Sequence, residues 1–397
     1  MKGWANMKLF VKRVRKVMIL LTTFIIITAL VTGCGMFQDD IDADMDDEGK
    51  QSENRLNVDT NIETDPDMDK NTNKNIDTSI GQNNKNEGVD IQAGNNEITK
   101  SKTEDKTGEI FIEVYYQDSE GYLIPVTKRI PRQLGVASAS IKELINTREN
   151  REKTERYGLY PILPEGTQFS INIKDGTAVI DFNKAVLEYN NEITERNIVA
   201  SVVYTLTQFK TINDVKILVN GYVQQELKYG TDISGNLSRK NVLVNSRGSG
   251  SINLSSGMKK LDIYLFKSVK DKVYLLPVSI ENMDINENDI QGEIIKYLGM
   301  PDNYGNLFSE IPEGLRLIGS SINKGLLTLN LDFDIYSYGG SMREIGMIDQ
   351  ILYSMKQVEN VDRVRFLVDG EVKELVEGTD ISQPIPLPSN INEITEL

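Results

Sequence analysis

The side chains that this chain lacks narrow the chemistry that it can perform. Its 397 residues include no histidine and a single cysteine, Cys34. Without histidine, neither a Ser-His-Asp nor a Cys-His arrangement can form, and zinc cannot be held by imidazole. Carboxylate chemistry, lysine chemistry and metal binding by oxygen ligands remain. Neither a Walker pattern nor a dinucleotide-binding glycine pattern is present, and we expect no cofactor and no metal.

Cys34 stands directly after a segment with the composition of a secretory signal peptide. Six basic residues and no acidic residue occur within 1–33, and an apolar stretch of about 15 residues follows the basic ones. The segment closes on small residues in a run that resembles the lipobox of bacterial lipoproteins: Val31, Thr32, Gly33 and Cys34. In that family a diacylglyceryl group is attached to the cysteine and the chain is cut just before it. The resemblance implies that 1–33 is removed and that Cys34 carries the lipid.

Two other interpretations of this region are weaker. A membrane-spanning helix needs ~20 apolar residues, which is more than the stretch provides. An ordinary buried thiol has no reason to follow a signal segment. Met7 begins the same charge pattern as Met1, so the sequence leaves both starts open.

The charge of the chain limits its partners. The formal net charge is −15, and removal of the six basic residues in 1–33 would leave a chain close to −21. Such a balance argues against nucleic acid, because phosphates require Lys and Arg. It also gives no attraction to anionic headgroups, so membrane attachment must come from the lipid itself. A lipid-modified Cys34 cannot form a disulfide, and the exported part must therefore rely on apolar cores.

Residues 34–107 are predicted to be a disordered tether. Between residues 38 and 107 there are 19 acidic and 8 basic residues and no aromatic residue, which is too little apolar surface to offset the entropy of folding. A flexible chain of this length would reach roughly 45–50 Å. The acidic run at 39–48 lacks the glycine and the bidentate glutamate of an EF-hand at their spacing, so it is interpreted as solvated charge.

From Gly108 the chain is globular in composition and repeats itself at an offset of 148 or 149 residues. The matched segments are Pro-Glu-Gly at 164–166 and 312–314, glycine turns at 174–176 and 323–325, strand ends at 215–221 and 364–370, and Gly-Thr-Asp-Ile-Ser at 230–234 and 378–382. Two copies of one module are therefore predicted. The predicted boundaries are 108–235 for module 1, 236–258 for a linker with its flexible part at 246–251, 259–383 for module 2, and 384–397 for a C-terminal tail.

Each copy predicts the same order of elements: strand, strand, helix, strand, strand, helix, strand. Alternating apolar residues indicate strands at 111–116 and 122–126 and a hairpin at 169–182, with a helix at 138–146 between them. Asp175-Gly176 stands at the hairpin tip, where a type I′ turn needs positive φ. The fold class is therefore α+β, in two tandem modules of about 130 residues, each large enough for a core.

The second helix of each copy is predicted from one apolar stripe, formed by Val199, Val202, Val203, Leu206 and Phe209 in module 1 and by Ile345, Ile348, Leu352 and Met355 in module 2. Ser341 and Glu344 have the spacing of a capping box. Asp181, which ends a strand, is the candidate for a lone site carboxylate; its counterpart is Asn330, or Asp332 if two residues are inserted. No partner acid recurs in both copies, so a glycosidase-like pair is unsupported.

Six short motifs follow one another along module 1. In chain order they are Ile124-Pro125-Val126, Leu163-Pro164-Glu165-Gly166, Asp175-Gly176, Val179-Ile180-Asp181, Val203-Tyr204-Thr205-Leu206 and Val219-Asn220-Gly221. This order resembles the GerMN domain, and two copies behind a lipobox resemble the family of GerM-like sporulation and germination lipoproteins. Module 2 departs from the pattern at Asn330 and at Tyr353-Ser354-Met355. The resemblance covers 108–383 and does not include the tether.

The resemblance implies a non-enzymatic protein with a fold similar to the ring-building modules of secretion and sporulation channels. It implies a lipid-anchored location on the extracytoplasmic face of the cell membrane, at the mother-cell or outer forespore membrane during sporulation. The implied partners are this membrane, other envelope and sporulation channel proteins, and further subunits in a ring-type homo- or hetero-oligomer. The implied role is a structural or assembly one in endospore formation and germination.

Two other functions stay open. A binding lipoprotein would hold a solute or a peptidoglycan strand, usually in a cleft shared by two lobes, whereas each module here is predicted to be complete. A carboxylate-based cell-wall hydrolase would need acids at a fixed spacing, which the two copies do not share.

Overall fold

A computed structural model describes residues 108–246, 252–300, 304–394 and 397. The predicted signal peptide, Cys34, the tether and most of the predicted flexible linker lie outside the described residues. Within the described ranges, no helix is both long enough and apolar enough to cross a membrane. Both modules belong to one compact unit.

Module 1 consists of six strands and three α-helices. In chain order they are β1 Glu109–Gln117, β2 Leu123–Pro131, α1 Val136–Glu143, α2 Arg148–Thr154, β3 Phe169–Lys174, β4 Thr177–Phe182, α3 Glu192–Leu206, β5 Asp214–Val219 and β6 Tyr222–Val223. The first predicted helix begins two residues earlier and ends three residues earlier than expected, because Leu144 already serves as its C-cap.

Module 2 repeats this order with small differences. Its elements are β7 Lys259–Val269, β8 Lys272–Asn282, α4 Ile290–Leu298, β9 Leu307–Phe308, β10 Leu317–Asn323, β11 Gly325–Leu331, α5 Ser341–Met355, β12 Val361–Val368 and β13 Ile385–Pro386. The β7–β8 hairpin is longer than β1–β2, and β13 lies just beyond the predicted module boundary.

Each module contains a four-stranded sheet, in the order β3-β4-β5-β6 or β10-β11-β12-β13. The outer pairs are antiparallel, whereas β4 and β5, like β11 and β12, are parallel. Parallel neighbours need a crossover connection, and α3 or α5 provides it. The initial hairpin of each module belongs to a separate sheet, which β1 and β2 form alone and in which β9 joins β7 and β8.

The crossover helices are buried on nearly all sides. On β4 and β5 every second residue is buried, so one face of the sheet packs inward. Along α3, every residue from Ile198 to Leu206 is buried, and the helix also contacts β1. A helix apolar on most sides lies between two layers. The predicted stripe is confirmed except at two positions. Phe209 lies beyond the end of α3 and is only partly buried. Ile345 is 48% exposed, while Met347 and Ile351 are buried in its place.

The predicted turns are confirmed. Asp175 and Gly176 have φ of 49° and 82°, and Lys324 and Gly325 have φ of 47° and 78°. Two consecutive positive φ values are the geometry of a type I′ hairpin turn, which the right-handed twist of the flanking strands requires. The Asn220-Gly221 and Asp369-Gly370 turns have the same conformation.

The predicted capping box at Ser341 and Glu344 is wrong. Gly340 is the N-cap of α5, and the helix start has no side-chain cap. The Glu344 carboxylate instead accepts hydrogen bonds from the backbone amides of Glu377 and Thr379. Glu344 therefore bonds to a loop 33 to 35 residues farther along the chain, and not to the start of its own helix as the local spacing predicted.

The segments after each module are packed. Val242, Val244 and Ile252 of the predicted linker are almost completely buried, and so are Ile391 and Ile394 of the predicted tail. One hydrophobic cluster includes side chains from both modules and from both of these segments. The domain boundaries stay a prediction, but the residues described between and after the modules take part in a shared core.

Candidate functional site: a reciprocal clasp between the modules

The predicted lipid site, with Val31, Thr32, Gly33 and Cys34, lies outside the described residues. The other candidate, Asp181, has a structural role. Its Oδ1 accepts a hydrogen bond from the Gly221 amide at 2.8 Å, and the Asn330 Oδ1 accepts one from the Gly370 amide at 2.7 Å. Asn330 is therefore the counterpart of Asp181. Because a side-chain amide oxygen accepts the equivalent hydrogen bond in module 2, this position does not need an ionised carboxylate.

Asp332, the alternative counterpart, bonds to a different part of the module. It accepts hydrogen bonds from the backbone amide and the Nε of Arg316, at 3.2 and 2.8 Å. In module 1 the matching place is taken by Asn183, whose Oδ1 accepts from the Gln168 amide at 3.0 Å. Both side chains stabilise the strand that follows the Pro-Glu-Gly turn.

Each crossover helix carries a buried glutamate, Glu195 in α3 and Glu344 in α5. The sequence did not single out Glu195, and it assigned Glu344 to a helix cap. Glu195 accepts hydrogen bonds from the Tyr189 hydroxyl at 2.6 Å, from the Tyr229 amide at 2.7 Å and from the Thr231 amide at 3.0 Å. These contacts fix the loop that carries the repeated Gly-Thr-Asp-Ile-Ser motif to the start of α3. A charged acceptor that is fully surrounded by donors can be buried without a counter-ion.

Glu344 repeats this arrangement in module 2. It accepts from the Tyr338 hydroxyl and from the amides of Glu377 and Thr379, at 2.8 and 2.7 Å for the amides. Burial works to raise the pKa of Glu344, but the bonds from Thr379, Tyr338 and Glu377 outweigh it and lower this pKa. Glu344 follows Glu195 by 149 residues, the offset of the repeat, so the signal was present in the sequence.

Among the residues that the structure describes, no group of three or more Cys, Asp or Glu side chains is arranged to hold a metal ion. The described polar side chains that recur in both modules instead connect elements of the fold. Thr205 of α3 and Gln208, two residues after its end, bond to the backbone of β1. Ser354 of α5 and Gln357, two residues after its end, bond in the same way to β7.

The most elaborate polar arrangement lies between the modules. After module 1, Asn245 accepts from the Leu123 amide at 2.7 Å and donates to the Leu123 carbonyl at 2.8 Å. Its side-chain amide also donates to the Pro277 carbonyl of β8 at 2.8 Å. One side chain therefore connects β2 of its own module with β8 of the other.

Asn392, after module 2, makes the reciprocal set of bonds. It accepts from the Leu275 amide at 2.9 Å and donates to the Leu275 and Pro125 carbonyls at 2.6 and 2.7 Å. Asn245 and Asn392 both have positive φ, 52° and 46°. Such a backbone is tolerated by Asn better than by most other residues.

The residues next to the two asparagines also form hydrogen bonds to the opposite module. Thr127 of β2 donates its amide to the Ile391 carbonyl at 2.8 Å and accepts the Ile391 amide on its hydroxyl at 2.8 Å. Ser279 of β8 does the same with Val244, at 2.8 and 2.9 Å. The segment after each module is thus bonded to the other module. We call the two segments, 242–245 and 389–394, the clasp.

Reciprocal contacts of this kind are those of an isologous interface, in which two similar units meet around a two-fold axis. Here both units belong to one chain, so the axis is approximate. Pro125 and Pro277 lack amide hydrogens at equivalent places on β2 and β8, so neither strand can donate to the other there. The two asparagine side chains bridge the strands instead.

A charged cluster lies beside the clasp. The Lys260 ammonium donates to the Tyr204 hydroxyl at 2.9 Å and to the Asp262 carboxylate at 2.6 Å. Arg239, from the predicted linker, donates to the Tyr204 carbonyl at 2.8 Å. Burial lowers the pKa of Lys260, although Asp262 opposes this effect. The donors of Lys260 are used within the protein, which indicates a structural ion pair.

A family model described as "Germane: Sporulation and spore germination" matches residues 113–225 and 262–374, together more than half of the chain. The chain belongs to the Germane family. The first match runs from within β1 to just beyond β6, and the second runs from within β7 to just beyond β12. The clasp segments lie outside both matches.

Similar proteins agree with membership of the Germane family. The spore germination protein GerM of Bacillus subtilis (strain 168) is 29% identical over 302 residues, which are 74% of this chain and 81% of that protein. The solved tandem GerMN domains of the sporulation protein GerM from Bacillus subtilis are 27% identical, with a TM-score of 0.63. That match covers 71% of this chain and 99% of the solved chain.

The predicted resemblance and the α+β fold of two tandem GerMN modules are therefore confirmed. The first GerMN domain of the same Bacillus subtilis protein, solved by itself, is 36% identical and covers 33% of this chain and 98% of its own length, with a TM-score of 0.31. Germane membership supports a role in sporulation and germination for this chain.

Proposed function

We propose that this Germane protein is a lipid-anchored, extracytoplasmic structural component of the envelope complex between mother cell and forespore. The supporting observation is how the repeated polar side chains are used. Glu195 and Glu344, like Asp181 and Asn330, are occupied by backbone amides of the protein itself. A side chain occupied in this way is poorly placed to act as a general acid or base. The modules therefore serve best as a rigid scaffold.

The proposed anchor is Cys34, joined to the scaffold by the tether at 34–107. Replacing Cys34 by Ala should leave the modules folded and release the protein from the membrane fraction. The matched control is Val31→Leu, which keeps an aliphatic residue in the lipobox and should stay in the membrane fraction. If the Cys34→Ala protein remained membrane-bound after a carbonate wash, the lipid anchor would be excluded.

The proposed role is tested in the spore-forming host. A fluorescent fusion should gather at the membrane that engulfs the forespore, and deletion of the gene should lower the yield of heat-resistant spores. A uniform membrane signal together with a normal spore yield would exclude the proposed role.

The proposed contact with partner proteins uses the outer edge of a sheet. β10 is the edge strand of its sheet, it carries no charged residue, and most of it is exposed. An uncharged edge strand offers free backbone groups to a strand of another protein. The occupant proposed here is an extended segment of a neighbouring envelope protein.

Ile322→Lys tests this edge, because Ile322 is 44% exposed and an edge lysine disfavours strand addition. We expect a loss of spore yield with a change in unfolding free energy of no more than ~0.5 kcal/mol. Val273→Lys, at an exposed position of the β7–β8 hairpin, is the matched control and should keep the yield. Equal yields for the two variants would remove β10 as the contact.

Two assays separate this proposal from the alternatives. Retention of the purified protein on peptidoglycan would favour a binding lipoprotein, and release of soluble fragments from cortex peptidoglycan would favour a hydrolase. We expect neither result, because the proposed scaffold acts through protein contacts.

A further inference from the structure

The approximate two-fold axis between the modules can be located from residues that are equivalent and also touch each other. Tyr115 pairs with Pro125 in the first hairpin, and Tyr264 pairs with Pro277 in the second. Counting along β1 and β7 from these pairs makes Asp118 of module 1 equivalent to Lys267 of module 2. Equivalent residues can meet only close to the axis, and these two do.

The contact between them is buried and of opposite charge. Lys267 is 1% exposed and Asp118 is 2% exposed. The Lys267 Nζ lies 3.5 Å from the Asp118 Oδ2 and 3.1 Å from the Glu120 Oε2. It also lies 4.6 Å from the centre of the Tyr122 ring. The ammonium has no well-aligned hydrogen-bond acceptor among the described residues, so the attraction is mainly one of charge.

Asp118 is held in place by its own turn. Its Oδ1 accepts from the amides of Glu120 and Tyr122, both at 2.9 Å, which leaves Oδ2 facing the other module. Glu120 is fixed as well, because the Asn306 side-chain amide of module 2 donates to its carboxylate at 2.8 Å. Both carboxylates on the acidic side are therefore held by hydrogen bonds, with Asp118 buried and Glu120 48% exposed.

The clasp part of the interface is nearly the same from both sides. Asn245 corresponds to Asn392, Pro125 to Pro277, and the Thr127 hydroxyl to that of Ser279. These groups would fit a pair of first modules or a pair of second modules as well as they fit the observed pair. At the axis, however, two first modules would bring Asp118 against Asp118, and two second modules would bring Lys267 against Lys267. Like charges buried together at that distance repel strongly.

We propose that the Asp118/Glu120–Lys267 contact makes this surface selective for unlike modules. Module 1 accepts module 2, from the same chain or from a second copy, and each module rejects its own kind. The partner that fits the surface is thus a second copy of this chain in which the modules are exchanged. This inference goes beyond the proposed function and does not depend on it.

Two variants of the chain from residue 35 onward test the selectivity. Variant X carries Asp118→Asn and Glu120→Lys, where Asn keeps the oxygen that the turn amides use. Variant Y carries Lys267→Glu. Each variant alone places like charges at the axis within its own chain. When X and Y are refolded together, module exchange restores an opposite-charge contact at both interfaces.

We expect the mixture of X and Y to contain at least tenfold more dimer than X or Y alone, measured by native mass spectrometry. The matched control reverses Arg129 and Glu393, an ion pair at the exposed rim of the same interface. Arg129→Glu mixed with Glu393→Arg should give no such increase, because solvent screens exposed charges.

A third variant covers the case in which X or Y does not fold. Variant Z combines all three substitutions in one chain, which restores opposite charges within that chain. Z should be monomeric and should unfold at a higher urea concentration than X and Y. Equal unfolding midpoints for X, Y and Z, or as much dimer in X or Y alone as in the mixture, would overturn the proposal.

Discussion

At the scale of single residues, buried carboxylates connect loops to helices within the protein. Glu195 and Glu344 each collect a tyrosine hydroxyl and two backbone amides and so hold a loop against the start of a helix. Hydrogen bonds to an ionised group are stronger than those between neutral groups. The bonds to Glu344 lower the pKa of its carboxyl group, so the loop that it holds depends on this carboxylate being ionised.

The first prediction concerns pH. The folded-state pKa of Glu344 is lowered, so its contribution is fully present above the ordinary glutamate value of 4.5 and is lost as the pH falls below that value. Glu344→Gln should cost about 1–3 kcal/mol at pH 7. The gap between the wild-type and variant unfolding free energies should narrow in acid. Urea unfolding at several pH values measures this difference in unfolding free energy, with the exposed Glu313→Gln as the control variant. A difference that stays constant with pH would contradict the prediction.

The second prediction separates structure from chemistry at Asp181. Asn does the equivalent work at position 330, so Asp181→Asn should change the unfolding free energy by no more than ~0.5 kcal/mol and leave the spore yield unchanged. Asp181→Ala leaves the Gly221 amide without its acceptor and should cost about 0.5–1.5 kcal/mol. Loss of function in the Asn variant, with its stability preserved, would show that the carboxylate has a chemical role after all.

At the scale of elements, the clasp segments matter more than their sequence suggests. Each carries one asparagine in a left-handed backbone conformation and joins β2 or β8 to the opposite module. Neither segment is a helix or a regular strand, so no periodic pattern marks it.

The third prediction compares the two clasp asparagines. Asn245→Gly and Asn392→Gly keep a residue that tolerates positive φ, so each removes only the side-chain bonds. Each should cost roughly 3 kcal/mol, at about 1 kcal/mol for each of three hydrogen bonds. The near-symmetry predicts similar losses for both, measured by urea unfolding. Asn236→Gly, at an exposed place in the predicted linker, is the control; a large loss in only one clasp variant would argue against reciprocity.

Much of each module could be predicted from the sequence because its turns are encoded by adjacent residues. Asp175-Gly176 and Asn220-Gly221 adopt the conformations that their residue types favour. The clasp could not be predicted, because Asn392 bonds to Pro125 across 267 residues and only the folded modules bring them together. Glu344 was misassigned for a related reason, since its spacing from Ser341 fits a cap while tertiary donors bind it more strongly.

At the scale of the whole molecule, the two modules share one hydrophobic cluster. Separate cores would unfold separately, whereas a shared core couples the two modules. The clasp and the Lys267 contact add polar links to that coupling.

The fourth prediction is therefore a single unfolding transition for both modules. Calorimetry of the chain from residue 35 onward should show one peak whose calorimetric and van't Hoff enthalpies agree. The double variant Asn245→Gly/Asn392→Gly should weaken the coupling and broaden or split the peak. Two resolved peaks in the unaltered chain would show that the modules are energetically independent.

The bond between Thr127 and Ile391 also affects how the protein is made. Ribosomes add residues from the N-terminus to the C-terminus, so β2 is synthesised long before the segment that covers it. Until Ile391 has been synthesised, the Thr127 amide lacks its backbone acceptor and the neighbouring apolar surface is uncovered. The first module is thus completed only by a residue that lies 264 positions farther along the chain. A product cut short before residue 391 would present an uncovered strand, the kind of surface that proteases and chaperones recognise.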